Sequence, residues 1–241
     1  MQEPLFTEAY DDLSLSGRLK NILSAPSATY AAVRREAAWP DWLIPTLLVC
    51  LSGVLYHYMT GHIIFNPETP AIQEQLQALD EERRQKALVG METWRTQGWL
   101  LVLSGAITSL ALISGVLLLI ARLIFRRDVT FGQMLAIKSY ASLTAGIEWL
   151  VRIPLVLMAQ SPLVHLGPGV LVAKDAATTF TGQLLISFNL FDCWQSLLLA
   201  IGLSVVAQVP RAKAVFVVFA LWLSWLTAGA AMTILGASVP A

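Results

Sequence analysis

Residues 189–204 read NLFDCWQSLLLAIGLS. Two polar groups, Asn189 and Asp192, stand at the head of a run of leucine, isoleucine and small residues. With its flanks the run covers about 183–208, enough for the ~20 apolar residues that cross a ~30 Å hydrocarbon layer. The preceding apolar stretch, about 133–159, is its natural partner, and the two predict a hydrophobic hairpin. That first arm carries Glu148 and Arg152, four apart and so on one helix face. Pro154 follows, placed to kink the arm and free a carbonyl. In an antiparallel pair Glu148 falls opposite Asp192, and Arg152 opposite Asn189. Asp192 then lies roughly 13 Å below the end of its span, at 1.5 Å per residue. Ionisable groups in a bilayer are costly and tend to be functional. The intramembrane polar cluster Glu148, Arg152, Asn189 and Asp192 is therefore the candidate site.

Two readings of that cluster stay open at this level. Two carboxylates against one guanidinium leave an excess negative charge, which in a low dielectric favours one carboxyl holding a proton. In the structural reading Arg152 bridges both acids and orders two helices. In the other, the cluster is a proton-coupled or headgroup-binding site. Lys138, near the end of its span, is expected to snorkel. The pairs Ala111–Gly115, Ser142–Gly146 and Ala200–Ser204 predict close helix contacts through small residues.

Composition agrees with a membrane setting. The chain has 241 residues, 56% of them hydrophobic and only 13% charged, against about 25% charged in a soluble domain. Mean hydropathy is +0.64. Net charge is zero, so no basic field points to nucleic acid. The two cysteines, Cys50 and Cys193, fall inside apolar runs and read as packing groups rather than a disulfide framework.

Outward from the hairpin, three more spans are expected at about 42–65, 98–124 and 213–236. The fold class is all-α: a polytopic membrane helical bundle with five transmembrane helices and N-terminal amphipathic helices. Residues 1–41 form a cytoplasmic amphipathic segment, and 42–241 the five-span membrane domain. The lead, with Glu3, Glu8, Asp11 and Asp12, is acidic and lacks an apolar run. No cleavable signal peptide is expected, and the first span acts as the anchor. Leu15, Leu19, Ile22 and Leu23 then recur at helical spacing opposite Arg18, Lys20 and Asn21. Pro26 opens a second short helix that closes at Arg34 and Arg35. These two helices either lie on the membrane surface or pack on the bundle.

Orientation follows from lysine and arginine. Arg18, Lys20, Arg34, Arg35, Arg122, Arg126, Arg127, Arg211 and Lys213 share one side. Arg83, Arg84, Lys86, Arg95 and Lys174 share the other. The excess puts the N-terminus in the cytoplasm and the C-terminus outside. The 66–97 segment is then an extracytoplasmic helical loop, with Glu82 and Lys86 as an i,i+4 pair. His165 belongs to a second outer loop. His57 and His62 lie near the outer half of the first span. The three histidines lack paired spacing, so no metal is expected.

No GxSxG, HExxH, P-loop or GxGxxG occurs. Neither catalytic residues nor a cofactor are assigned, and the chain is read as non-enzymatic.

Three segments carry a family resemblance. They are LSGRLKNILSAPSATYAAV at 15–33, FGQMLAIKSYASLTAGIEWL at 131–150, and NLFDCWQSLLLAIGLS itself. The last supplies the motif Phe191, Asp192, Trp194, Ile201, Gly202 and Leu203. In order and spacing they resemble the bacterial branch of the YIP family, the Ypt/Rab-interacting type of five-span membrane protein. The resemblance implies a five-helix bundle with a cytoplasmic N-terminus. Eukaryotic members are linked to Rab GTPases and vesicle traffic. This chain lacks their Asp-Leu-Tyr-Gly-Pro motif, and Thr144 stands where many relatives place proline, which argues against Rab GTPase binding. The expected home is a bacterial inner membrane. The expected role is a scaffold or interaction partner, with membrane lipids and a membrane-protein partner or a second copy as its company. A small transporter or lipid-translocating protein using the cluster is the alternative.

Overall fold

The computed structural model describes residues 13–173 and 176–238. The acidic lead of residues 1–12 and Lys174 lie outside the described residues. Every regular element among those described is helical. In chain order these are α1 (Leu15–Ser24), α2 (Pro26–Arg35), α3 (Trp39–Ile64), α4 (Pro70–Gln77), α5 (Glu81–Leu119), α6 (Phe131–Ala159), α7 (Phe180–Ser187), α8 (Leu190–Ala207) and α9 (Arg211–Ser238). Helix α5 runs on as a π-helical turn, Ile120–Ile124, and short 3-10 turns occupy Pro168–Leu171 and Ala176–Thr178. Among the described residues, five helices are long and apolar enough to cross a membrane.

The helix ends follow local chemistry. Ser14 caps α1, its Oγ accepting the Gly17 N–H. Pro26 sits at the first turn of α2, where its missing N–H has no cost. Asp41, in the first turn of α3, reaches back to the Ala38 N–H at 3.0 Å, the acidic half of a capping box. Asp80 accepts the Arg83 N–H at 2.8 Å and starts α5. Three helices close with a non-glycine residue in the left-handed region: Arg126, Gln160 and Gln208, at φ 55, 47 and 52°.

Two expected boundaries move. The 66–97 segment is one short helix, α4, followed directly by the first turns of α5. No proline interrupts the chain between Glu81 and the apolar run, and the helix runs through Gly90 and Gly98 into the span. The span expected at 183–208 is two helices, α7 and α8, separated at Phe188 and Asn189. Phe188 is extended, and the Asn189 Oδ1 accepts the Phe191 N–H at 3.0 Å, which recaps the chain as α8. Pro154 lies inside α6, and the helix continues past it to Ala159.

The chain divides into two compact units. The first comprises Met1–Leu47, Thr108–Leu143 and Asp192–Ala228. Its core gathers Ile22, Tyr30, Val33, Met134, Ile137, Tyr140, Leu198 and Leu203. Of the two placements open for α1 and α2, packing on the bundle is the one observed: Ile22, Tyr30 and Val33 are fully buried. Gly202 makes this possible. A Cβ there would come within 2.6 Å of Ile137 Cγ2 and 3.0 Å of Tyr30 Cζ. Of the small-residue pairs, Ala200 and Ser204 are buried on this seam. Ala111 is exposed and Gly115 has open space over its Cα, so that pair makes no close contact.

The second unit comprises Leu48–Ile107, Thr144–Phe191 and Gly229–Ala241. Gly53 of α3 lies against Trp149 of α6 and Val102 of α5; an added Cβ would sit 2.5 and 2.7 Å from them. Gly146 contacts Ser52 of α3. His57 is buried against Gly98, edge-on to Tyr58 and tilted against Phe65, so it is a packing residue. Gly167 and Gly169 bring the loop after α6 onto the backbone of α7 and Phe188.

Candidate functional site

Glu148 and Arg152 project from one face of α6, as their spacing predicts. Glu148 Oε1 accepts from Arg152 Nε at 2.7 Å and from Asn189 Nδ2 at 2.6 Å. Arg152 Nη1 donates to the Val164 carbonyl at 2.9 Å. Asn189 Oδ1 is engaged by Phe191, and the Leu190 N–H donates to the Leu166 carbonyl at 3.1 Å. Glu148 is 7% exposed. The three residues thus tie α6, the loop after it, and the α7–α8 break within the second unit.

Asp192 belongs to the other unit. It stands in the first turn of α8, where its carboxylate acts electrostatically on Lys138. Lys138 is 5% exposed and donates to Gln195 Oε1 at 3.4 Å. The expected snorkelling does not occur. Residues 136–141 of α6 are all buried, so the lysine stem has no route outward and turns to α8 instead. Gln195 Nε2 in turn reaches the Ala141 carbonyl at 3.4 Å, which fixes the antiparallel register of α6 and α8 in this unit.

A third polar group escaped the sequence reading. Asp41 is 1% exposed. Its carboxylate accepts from Arg18 Nη1 at 2.8 and 2.7 Å, from the Tyr140 hydroxyl at 2.8 Å and from the Ala38 N–H at 3.0 Å. Thr29 Oγ1 donates to the Arg18 carbonyl at 3.0 Å. The network joins α1, α2, α3 and α6. Nearby, Ser139 Oγ donates to the Trp42 carbonyl at 2.5 Å and lies 2.7 Å from Thr46 Oγ1. Burial, with Tyr140 close by, pushes the Tyr30 phenol well above its usual range. It stays neutral and makes a long contact, 3.5 Å, to the Ile137 carbonyl. A sequence signal existed: Pro40–Asp41 after Ala38 is a helix start with an acid at its third position.

The remaining motif residues have packing roles. Gly202 seats Tyr30, and Trp194 packs on the first unit's core. Phe191, through its N–H, completes the cap on α8. Cys50 and Cys193 are both free thiols.

Five long apolar helices with charged groups matched in their interior define a polytopic helical membrane protein. The Yip1 domain matches residues 20–233, so the chain belongs to the Yip1 domain family. No curated protein matches the chain, and no solved structure does.

Proposed function

We propose that this protein is a non-enzymatic scaffold of a bacterial cytoplasmic membrane, with its N-terminus cytoplasmic and its C-terminus outside. The observation that carries the reading is the Glu148–Arg152–Asn189 group. Its carboxylate and guanidinium are engaged by each other, by Asn189 and by the Val164 carbonyl. Such a group orders helices and holds a surface in shape for partners: membrane lipids and a membrane protein or second copy. Rab GTPases are not among the proposed partners, because the chain lacks the Asp-Leu-Tyr-Gly-Pro motif. The orientation rests on basic residues such as Arg34, Arg35, Arg126 and Arg127, all exposed in one unit.

One observation favours a second reading, a small transporter or lipid-translocating protein. The helix break at Phe188–Asn189 sets a carboxylate beside a half-helix start, an arrangement that transporters use at their binding sites.

Reconstitution into proteoliposomes separates the two. Glu148→Gln is expected to lower thermal stability, with Arg152 left half-buried and without its counter-charge. Neither the parent protein nor the variant is expected to carry protons or flip labelled lipid. A flux that depends on Glu148 would overturn the scaffold reading in favour of the transporter.

A further inference from the structure

We propose that α2, the turn after α5 and the start of α9 together form a docking surface for the headgroups of anionic phospholipids. The inference rests on the membrane reading above. Gln133 Nε2 donates to the Arg34 carbonyl at 2.9 Å, which holds the end of α2 beside the start of α6. Arg211 Nη2 donates to Ser27 Oγ at 2.8 Å, which holds the beginning of α2 beside the start of α9. Helix α2 has ten residues, about 15 Å. Arg34 and Arg35, Arg126 and Arg127, and Arg211 and Lys213 are therefore arranged around one short helix, and all six are exposed. Among the described residues of this unit the exposed acids are Glu36 and Asp128. Among the described residues this surface has a positive excess.

The turn that presents Arg126 and Arg127 is built, not trailing. The Arg127 N–H donates to the Ala121 carbonyl at 2.9 Å. Arg122 clamps the Val129 carbonyl through Nε at 3.3 Å and Nη2 at 2.9 Å. Arg126 itself is at φ 55°, a conformation that glycine adopts with less strain. The chain keeps a long cation there, at the position where its backbone would favour none. Gln160 and Gln208 hold the same conformation at other helix ends, and what sets this turn apart is the pair of exposed cations it presents.

The apolar neighbours select a lipid over free phosphate. Leu123, Ile124 and Phe131 flank the turn and are 71, 62 and 43% exposed. Trp39, just past the end of α2, is 64% exposed. Cations bordered by exposed aliphatic and aromatic side chains fit a headgroup with its acyl chains attached.

The test uses the full-length protein in nanodiscs of equal phosphatidylglycerol and phosphatidylcholine, with native mass spectrometry of the retained lipids. The parent protein is expected to retain phosphatidylglycerol preferentially. Each cation removed should reduce that preference by up to about fivefold. Arg126→Gly is the decisive variant: it relieves the turn, so its melting temperature holds or rises while the anionic preference falls. Arg34→Gln with Arg35→Gln should act in the same direction, and millimolar inorganic phosphate should not compete. Equal retention of both lipids by the parent, an unchanged preference in Arg126→Gly, or displacement by phosphate would each overturn the proposal. A Glu148-dependent flux would end the scaffold reading and leave this measurement untouched, so the two failures are distinguishable.

Discussion

Replacing Asp41 with alanine should destabilise the first unit more than any exposed ion pair could. The side chain is 1% exposed and that of Arg18 is 19% exposed. Two short contacts from the guanidinium, one from Tyr140 and one from Ala38 converge on one carboxylate. Removing one partner of a buried pair costs about 3–5 kcal/mol, because the other charge is left without compensation. Arg18 retains some access to water, which puts the expected loss near the lower end, about 3 kcal/mol. Asp41→Asn keeps the shape but turns an amide donor toward a guanidinium or the Ala38 N–H, so it should lose nearly as much. Tyr140→Phe removes one donor while three contacts remain, and should cost about 1 kcal/mol. The assay is a double-mutant cycle on Arg18→Ala and Asp41→Ala, read by denaturation in mild detergent, with proteolysis of the α1–α2 segment as a local probe. A coupling of about 2 kcal/mol is expected. Single losses under 1 kcal/mol that simply add would mean the pair behaves like a surface salt bridge, and the argument that it anchors α1 and α2 would fall.

Two further substitutions probe the backbone. Gly202→Ala gains about 1 kcal/mol of helix propensity but drives a Cβ to 2.6 Å from the stiff Ile137 Cγ2; overpacking costs about 1–3 kcal/mol, so a net loss is expected in a detergent melt, partly recovered by adding Ile137→Ala. Gln208→Val places a β-branched residue at φ 52° after α8 and should cost about 1–2 kcal/mol, whereas Gln208→Gly should leave the same melt unchanged or slightly higher.

The helices themselves were legible because each span is a long apolar run, and length alone decides crossing. That α6 and α8 meet was legible too, but not their register: Glu148 was expected opposite Asp192 and instead bonds Asn189, while Asp192 acts on Lys138. What the residues could not announce was the break before Asn189. Phe188 and Asn189 sit inside an apolar run with neither proline nor glycine to mark a stop. The break comes from an asparagine side chain competing for backbone donors, which also makes it a cap. Burial of α1 and α2 was equally hidden. Their apolar stripe suits lipid or protein alike, and the decision lies with a partner 172 residues away in the chain, Gly202 under Tyr30. Asp41 was passed over because its partners, Arg18 and Tyr140, are 23 and 99 residues distant.

Charge is where the sequence and the structure differ most in consequence. Counted along the hairpin, Glu148 and Asp192 share one Arg152, and the surplus negative charge invites a bound proton. In the structure that surplus is matched by a residue the hairpin reading had sent to the interface. Lys138 is buried and is the cation on which Asp192 acts, while Arg152 pairs with Glu148. Arg18 and Asp41 form a third match. The two buried acids, Glu148 and Asp41, each have a base, and the partly buried Asp192 acts on the buried Lys138. This balance supports a structural role for the intramembrane charges. It also directs attention for partner binding to the exposed cations around α2.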